Sequence, residues 1–292
     1  MILLGQLAAL GAAMAWTITS LFDEHFTKGV WAPSVNFLRL SLGLVFVSLL
    51  SLMVSGQVLV VPAQTEGAIW LILSGLIAFA VGDNFLILAF QTIGARITML
   101  IFSISPIMTA VAGYLIFGET LSPFNFLGMI LTLSGLVLVI TAKSDTGQKQ
   151  YSPIGVQAAL LASVGQSAGV IFSKLGLETF TPIAGTQIRL FSAVMGLILY
   201  FTVRKQWAKV RKVRTHPHAW KAVLGDAFFA TLIGVSLSMY ALQHVKAAIA
   251  STLMSIMPVL IIPISIWLKE QIRWKEIAGA VLSVLGIAIL FL

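Results

Sequence analysis

The sequence predicts an all-α integral membrane protein, in which ten transmembrane helices form two inverted five-helix repeats around a central cavity. Three observations support this fold class: the composition, the spacing of the apolar segments and an internal repeat. The residues are 59% hydrophobic and 10% charged, whereas soluble domains have roughly 45–50% apolar and about 25% charged residues. The mean hydropathy is +1.01, so the apolar segments are too extensive for one soluble core.

Ten apolar segments follow one another along the chain. A hydrocarbon layer about 30 Å thick takes about 20 residues of helix. The segments cover residues 4–22, 33–54, 67–91, 95–117, 123–142, 153–173, 182–203, 221–243, 246–268 and 275–292. Their continuous apolar character favours helices over a β-barrel, whose strands alternate. We expect a first repeat at 1–142, a polar linker at 143–152 and a second repeat at 153–292.

The two halves repeat one pattern at a nearly constant offset. Six residues recur 152 positions later (241 − 89): Ala89, Gln91, Ala95, Ile97, Ser103 and Pro106 return as Ala241, Gln243, Ala247, Ile249, Ser255 and Pro258. At an offset of 151, Glu119, Gly128 and Gly135 return as Glu270, Gly279 and Gly286, and at an offset of 150, Gly5 and Arg39 return as Gly155 and Arg189. Self-similarity of this length indicates two copies of one structural unit.

The distribution of Lys and Arg predicts the orientation. Fourteen of them lie in the 1–2, 3–4, 5–6, 7–8 and 9–10 loops, and two lie in the other loops. By the positive-inside rule, the first set faces the cytoplasm and both termini lie outside. The 2–3 loop has no Lys or Arg, while its equivalent, the 7–8 loop, is rich in them, as an inverted repeat requires. These basic residues face an anionic leaflet, so no nucleic-acid partner is expected.

Inverted repeats are typical of transporters, which hold their substrate near the bilayer midplane between the repeats. A duplicated scaffold without transport is the other interpretation. A channel or a membrane enzyme is a further alternative, but enzymes of that kind need clustered acids or histidines, and only Asp23–Glu24 comes close. The G-x-x-x-x-G-K-[ST] motif of ATP-binding proteins is absent from the sequence. We therefore expect a small-molecule substrate and no catalytic residue, metal or cofactor.

The A-x-Q … P … E … G-x6-G pattern, present twice over ten segments, resembles the EamA-type branch of the drug/metabolite transporter superfamily. Within that group the chain is most similar to bacterial amino-acid exporters, particularly those for aromatic amino acids. The resemblance implies alternating-access export across the bacterial inner membrane, with the termini in the periplasm by the charge count. It also implies a cavity lined by helices 1, 3, 4, 6, 8 and 9, and a supporting pair of helices 5 and 10. Export of other metabolites or drugs is the alternative, and the oligomeric state stays open.

An amino-acid zwitterion needs hydrogen-bond donors, acceptors and an apolar or aromatic wall. The polar, aromatic and methionine side chains of the apolar segments supply these groups. The candidate substrate-binding residues are Trp16, Asn84, Gln91, Met99, Phe102, Ser103, Ser163, Gln166, Tyr240, Gln243, Met254 and Ser255. Trp16 also fits an aromatic belt at the membrane interface, and the methionines also fit ordinary packing.

Pro106 and Pro258 lie inside helices 4 and 9, where proline removes a backbone donor and bends a helix. With Gly82 and Gly234 they are candidate hinges, and static kinks are the alternative. Asp83 in helix 3 is a candidate for proton coupling, because an acid in hydrocarbon is costly and therefore a functional candidate. A hydrated entrance residue is the alternative interpretation of Asp83.

Arg39 and Arg189 lie early in helices 2 and 7. Their side chains can extend to opposite interfaces or pair with acids such as Asp23 or Glu24, and no substrate role follows from the pattern.

Two further repeated features are interpreted as structural. Gly128 and Gly135 allow close packing of helix 5, as the matching glycines do for helix 10. Glu119 and Glu270 stand in equivalent turns, where a carboxylate near a helix N-terminus is favoured.

Overall fold

The computed structural model describes residues 1–59, 65–142, 152–260 and 274–291, and these form helices joined by turns. The expected linker at 143–152 lies outside the described residues except for Ser152, and so does Glu270. Six described helices are long and apolar enough to cross a membrane, and three shorter apolar helices lie among them. The all-α membrane fold with about ten helices is confirmed.

The first repeat contributes five helices, two of which are interrupted. Helix 1 covers Ile2–Phe26, helix 2 covers Ala32–Ser55 and helix 5 covers Pro123–Ala142. Helix 3 consists of Thr65–Ser74, the π-helical Gly75–Gly82 and the first part of Asp83–Phe102. Helix 4 consists of the rest of Asp83–Phe102 and of Ser105–Phe117. Helix 3 passes into helix 4 at Gly94, where φ is +80°. Glycine adopts this backbone angle without the strain that a side chain would add.

The second repeat follows the same order. Helix 6 covers Pro153–Gly176 and helix 7 covers Pro182–Val203; helix 8 consists of Pro217–Gly225, the π-helical Asp226–Val235 and Ser236–His244; helix 9 starts with Ala247–Met254, and helix 10 is Trp274–Leu290. A short helix, Trp207–Lys212, lies in the 7–8 loop and was not expected. It forms because Trp207 and Val210, three positions apart, pack on the apolar core.

The outer surface of the bundle is apolar and its interior is partly polar. Large side chains such as Leu49, Leu199 and Leu285 are exposed. In water an apolar surface of this extent is an aggregation hazard, whereas in a bilayer it is the face that meets lipid. Charged side chains, among them Arg39 and Asp226, are buried instead.

The helices of the two repeats pack in exchanged pairs. Helix 1 packs against helices 8 and 9, and its equivalent, helix 6, packs against helices 3 and 4. Helix 2 packs on helix 8 and helix 7 on helix 3, while helices 5 and 10 pack against each other. Exchanged pairs of this kind arise from a pseudo-two-fold relationship between the halves. Because each repeat has five helices, the two copies enter the membrane from opposite sides.

Helices 5 and 10 approach closely at their repeated glycines. A Cβ atom on Gly135 would lie 2.4 Å from the carbonyl oxygen of Gly279, and one on Gly279 would lie 2.6 Å from that of Gly135. Ser283 Oγ donates a hydrogen bond of 3.0 Å to the Thr132 carbonyl across the same contact. No side chain fits between backbones at this distance, so these glycines serve packing.

Helices 3 and 8 each contain a π-helical segment at the equivalent position, which the sequence analysis missed. A π-helix closes its hydrogen bonds one residue later than an α-helix, and such segments are frequent at functional sites. Carbonyl groups in both segments accept hydrogen bonds from side chains of other helices. Asn36 Nδ2 donates to the Phe79 carbonyl at 2.8 Å, and Trp16 Nε1 donates to the Ala230 carbonyl at 3.1 Å. These bonds join helix 2 to helix 3 and helix 1 to helix 8.

Helices 4 and 9 are both interrupted by a turn, at residues 103–104 and 255–256. The turns lie just before Pro106 and Pro258, which cannot donate a hydrogen bond to the carbonyl four residues earlier. Helices 4 and 9 are therefore interrupted next to the two prolines, where the sequence predicts a bend. A hinge role for either proline stays a prediction.

Candidate functional site

A cavity of about 100 Å³ lies where the two repeats meet. It has room for several water molecules or for part of a small solute. Its walls come from helices 1, 2, 3, 4, 6, 8 and 9. The resemblance implies all of these except helix 2, which contributes Arg39 and Leu40.

The cavity lies on the pseudo-two-fold axis. Seven of the seventeen candidate substrate-binding, hinge and proton-coupling residues line it: Trp16, Asp83, Phe102, Pro106, Gln166, Met254 and Ser255. Trp16 and Gln166 hold equivalent positions in the two repeats, and so do Phe102 and Met254. The axis relates each position in one repeat to its equivalent in the other. Both members of such a pair can line the same cavity only if the axis passes through it.

Ten other residues singled out in the sequence lie outside the cavity lining: Asn84, Gln91, Met99, Ser103, Ser163, Tyr240, Gln243, Gly82, Gly234 and Pro258. Met99 belongs to the buried apolar core. Ser163 Oγ donates to a carbonyl of its own helix at 2.8 Å, and Tyr240 stacks on His244 with ring centroids 4.3 Å apart. Ser103 and Pro258 lie at the interruptions of helices 4 and 9.

Gln91 and Gln243 hold turns of the backbone. Gln91 Nε2 donates to the carbonyls of Thr27 and Val30, both at 3.0 Å. Gln243 makes the same two contacts to the equivalent 6–7 turn, both at 3.5 Å. An amide nitrogen that is engaged by two carbonyls is not available to a solute. We therefore do not carry these two residues into the proposed substrate site.

Asn84, Gly82 and Gly234 lie where helices contact each other. Asn84 accepts a hydrogen bond from Asn36 at 2.8 Å and donates to a carbonyl of its own helix at 2.6 Å. A Cβ atom on Gly234 would lie 2.4 Å from Trp16 Nε1, and Gly82 lies against the backbone of helix 6. Gly82 is the last residue of one π-helical segment and Gly234 the second-last residue of the other, and both glycines allow close contact beside the cavity.

One end of the cavity is a charged cluster. Arg39 forms an ion pair with Asp83, instead of extending to the interface or pairing with Asp23, and its Nε donates to Asn36 Oδ1 at 3.0 Å. Asp23 and Asp226 lie beside each other, and Arg39 interacts electrostatically with both. Both carboxyl oxygens of Asp226 are buried, and this carboxyl group lies within hydrogen-bonding reach of that of Asp23. Three carboxyl groups therefore surround one guanidinium.

The place related to the Asp23–Asp226 pair by the pseudo-two-fold axis carries no charge. Ser74 and Ser173, which correspond to Asp226 and Asp23, hydrogen-bond to each other at 2.8 Å. The fold therefore does not require the two acids. Acids buried in a membrane are functional candidates because their burial is costly. Sequence reasoning missed Asp226, and the available signal was an acid inside an apolar segment.

The two sides of the membrane differ. We call the side with the 1–2, 3–4 and 7–8 loops the 1–2 side, and the side with the 4–5, 6–7 and 8–9 loops the 4–5 side. The cavity extends towards the 1–2 side, where Asp23 and Phe90 line it. On the 4–5 side, contacts of Glu119 and Lys174 connect the helices.

Glu119 and Lys174 form an ion pair between the 4–5 turn and the end of helix 6. Lys174 Nζ also donates to the Val245 carbonyl at 3.0 Å, and Glu119 Oε2 accepts from the Ala247 amide at 3.0 Å. Glu119 thus lies in the 4–5 turn, as expected, and the helix N-terminus that its carboxylate contacts is that of helix 9. We call the contacts of Glu119 and Lys174 the latch.

Apolar helices in two halves related by a pseudo-two-fold axis, with a polar cavity between the halves, define a membrane transporter built from an inverted repeat. The chain belongs to the EamA-like transporter family, whose family model matches residues 3–141 and 153–292. It is therefore a multi-pass membrane transporter and not an enzyme.

Two comparisons extend this result. The chain is 25% identical over 192 residues to "Uncharacterized transporter YyaM" of Bacillus subtilis (strain 168), a match over 64% of this chain and 61% of that protein. The chain thus spans less than two thirds of that relative. A solved crystal structure superposes with a TM-score of 0.75 over 98% of this chain and 95% of the other, at 16% identity. At this identity the likeness shows the fold alone.

Proposed function

We propose that this transporter exports amino acids with aromatic or hydrophobic side chains, or closely related small metabolites, by alternating access. The rings of Trp16, Phe79 and Phe102 form an apolar part of the cavity wall, and Gln166 and Ser251 add polar groups. An apolar wall with a few placed polar groups suits a small solute that has an apolar side chain. Location in the bacterial inner membrane, with periplasmic termini, is part of the proposal and rests on the Lys and Arg distribution.

The observation that carries the proposal is the contrast between the two sides of a pseudo-symmetric molecule. On the 1–2 side, the cavity reaches Arg39 and Asp83. On the 4–5 side, the equivalent positions Arg189 and Val235 border a recess of only about 20 Å³. If the two repeats exchange conformations, the recess opens and the cavity end closes, which is alternating access. The interruptions before Pro106 and Pro258, together with Gly82 and Gly234, are the proposed hinges.

A flux assay on purified protein in liposomes tests this function. We expect saturable uptake of labelled L-phenylalanine, accelerated by unlabelled phenylalanine inside the vesicles, because a carrier exchanges its substrate across the membrane. Ser255→Trp is expected to reduce flux at least about 10-fold, since it adds a large ring to the cavity. The matched control is Leu285→Trp, on an exposed position of helix 10, which is expected to transport normally.

Three outcomes of this assay count against the proposal. Flux that does not saturate and shows no counterflow indicates a channel. Transport of cationic drugs without transport of any amino acid indicates the drug exporter that the sequence left as an alternative. Equal flux through both tryptophan variants removes the cavity from the transport path.

Proton coupling at Asp83 remains part of the proposal. In wild-type vesicles, an imposed pH gradient is expected to change the initial rate several-fold, because a carboxyl that alternates between the two sides carries a proton with it. In Asp83→Asn, the ratio of the rates with and without the gradient is expected to be near one. An unchanged wild-type rate under the gradient would leave facilitated diffusion as the mechanism.

A further inference from the structure

The two repeats place an arginine at the same position, but among the described residues only one of the two has a carboxylate partner. Arg39 pairs with Asp83. Arg189 is also buried, yet no carboxylate of the described residues lies within ion-pair distance of it. Its Nη1 contacts Met239 Sδ at 3.4 Å, and its Nε has no hydrogen-bond partner among the described residues. The guanidinium carbon lies 4.1 Å from the centre of the Phe79 ring.

The sequence explains why Arg189 lacks a partner. The three acids around Arg39 are Asp23, Asp83 and Asp226, and the equivalent positions around Arg189 hold Ser173, Val235 and Ser74. Asp83 acts on Arg189 electrostatically but does not form an ion pair with it. Arg39 therefore has three acids around it, whereas none of the three equivalent positions around Arg189 holds an acid.

An unpaired guanidinium in the interior is energetically unfavourable. A buried charge loses its hydration, and proteins normally restore it with an ion pair and hydrogen bonds. The Phe79 ring supplies part of this stabilisation through its negative face, and the Met239 sulfur is a weak acceptor. Neither replaces a carboxylate. A free anion at this position would complete the coordination that Asp83 provides for Arg39.

Arg189 lies next to the substrate cavity. Its recess and the cavity share the wall residues Trp16, Phe79, Gln166, Val235 and Met254. At about 20 Å³ the recess holds only one or two water molecules in this conformation. If the 4–5 side opens, as the proposed function requires, the recess enlarges, and a solute in the cavity reaches the guanidinium past the wall residues that the two spaces share.

We propose that Arg189 binds the carboxylate group of the transported solute, at the place equivalent to that of the Asp83 carboxylate beside Arg39. This inference rests on the proposed function and narrows it to solutes that carry a carboxylate. A planar guanidinium recognises a carboxylate through two parallel hydrogen bonds. The transporter thus selects amino and other organic acids over the amines that share their side chains.

Ligand-dependent thermal unfolding of the purified protein tests the proposal without requiring transport. The probes are phenylacetate, L-phenylalanine and phenethylamine, which share one ring and differ in their charged groups. We expect the two carboxylates to raise the unfolding temperature of the wild type and the amine to have no comparable effect. In Arg189→Gln we expect apparent carboxylate affinity to fall about 10–100-fold, as for loss of a charged hydrogen-bond pair.

Two further variants separate binding from folding. Val235→Asp places a carboxylate at the position of Asp83 in the first repeat, so we expect Arg189 to be occupied internally and the carboxylate effect to be lost, with unfolding still cooperative. Arg204→Gln removes an arginine from an exposed position in the 7–8 loop and is expected to bind like the wild type.

Two results overturn the proposal: carboxylates stabilise Arg189→Gln as strongly as the wild type, or phenethylamine stabilises the wild type as strongly as phenylalanine. If instead the proposed transport function is wrong, the measurements give a different pattern. In that case the carboxylates still stabilise the wild type through Arg189, but vesicles show no saturable phenylalanine flux.

Discussion

Replacing Arg39 by leucine is expected to lower the free energy of unfolding by about 3–5 kcal/mol, the cost of breaking a buried ion pair from one side. The variant leaves Asp83 without its cation, and it leaves the neighbouring Asp23 and Asp226 without the positive charge that they share. Asp83→Asn is expected to cost less, because Arg39 keeps two carboxyl neighbours and its hydrogen bond to Asn36. The two substitutions are expected to lower the free energy of unfolding by different amounts because three acids share one cation.

Arg189→Leu is the matched control for this prediction, because it removes the same side chain from the equivalent position of the other repeat. Arg189 has no carboxylate partner among the described residues, so its removal takes away a desolvation cost without leaving an unpaired acid. We expect the stability of this variant to be unchanged or higher. Thermal unfolding in detergent ranks the three variants, and equal destabilisation by Arg39→Leu and Arg189→Leu would contradict the charged cluster as described.

The overall fold could be predicted from the sequence because its determinants are local or repeated. Apolar segments of sufficient length specify the helices, and glycines at constant offsets specify the close contact of helices 5 and 10. The short helix in the 7–8 loop escaped prediction because its apolar residues are few and lie among basic ones. The π-helical segments escaped because they depend on side chains such as Asn36 and Trp16, which reach them from other helices.

The candidate site was harder to predict because repetition also selects residues that stabilise the fold. Gln91 and Gln243 recur in both halves, and both hold a turn that each half needs. The charged residues behave differently: Asp83 and Asp226 occur in one half only, and the fold accommodates Val235 and Ser74 in their places. A polar residue that makes the same contacts in both repeats supports the common fold, whereas a costly charge whose partners differ between the repeats is free to serve function. Comparing the equivalent residues of the two repeats, together with their contacts to distant helices, separates residues that stabilise the fold from residues that can serve function.

The latch is expected to hold the 4–5 side closed, so Lys174→Gln should open it. The ion pair is partly buried, with the Lys174 and Glu119 side chains 21% and 11% exposed. Its loss is expected to cost about 1–2 kcal/mol, between the values for exposed and buried pairs. The equivalent positions in the sequence hold Glu24 and Glu270, two acids, so the sequence offers no second ion pair of this kind. The latch thus stabilises one of the two conformations that the repeats can exchange, and its loss shifts their ratio about 5–30-fold.

Cysteine accessibility measures this shift, since the natural sequence contains no cysteine. Leu86 and Ser238 hold equivalent positions, Leu86 in the cavity and Ser238 in the Arg189 recess. In the Lys174→Gln background we expect a water-soluble maleimide to label Ser238→Cys several-fold faster and Leu86→Cys more slowly. Lys174→Arg keeps the charge and should label like the wild type. Faster labelling at both positions would indicate general loosening, whereas reciprocal changes require that one side opens as the other closes, because both cysteines report on a single exchange between the repeats.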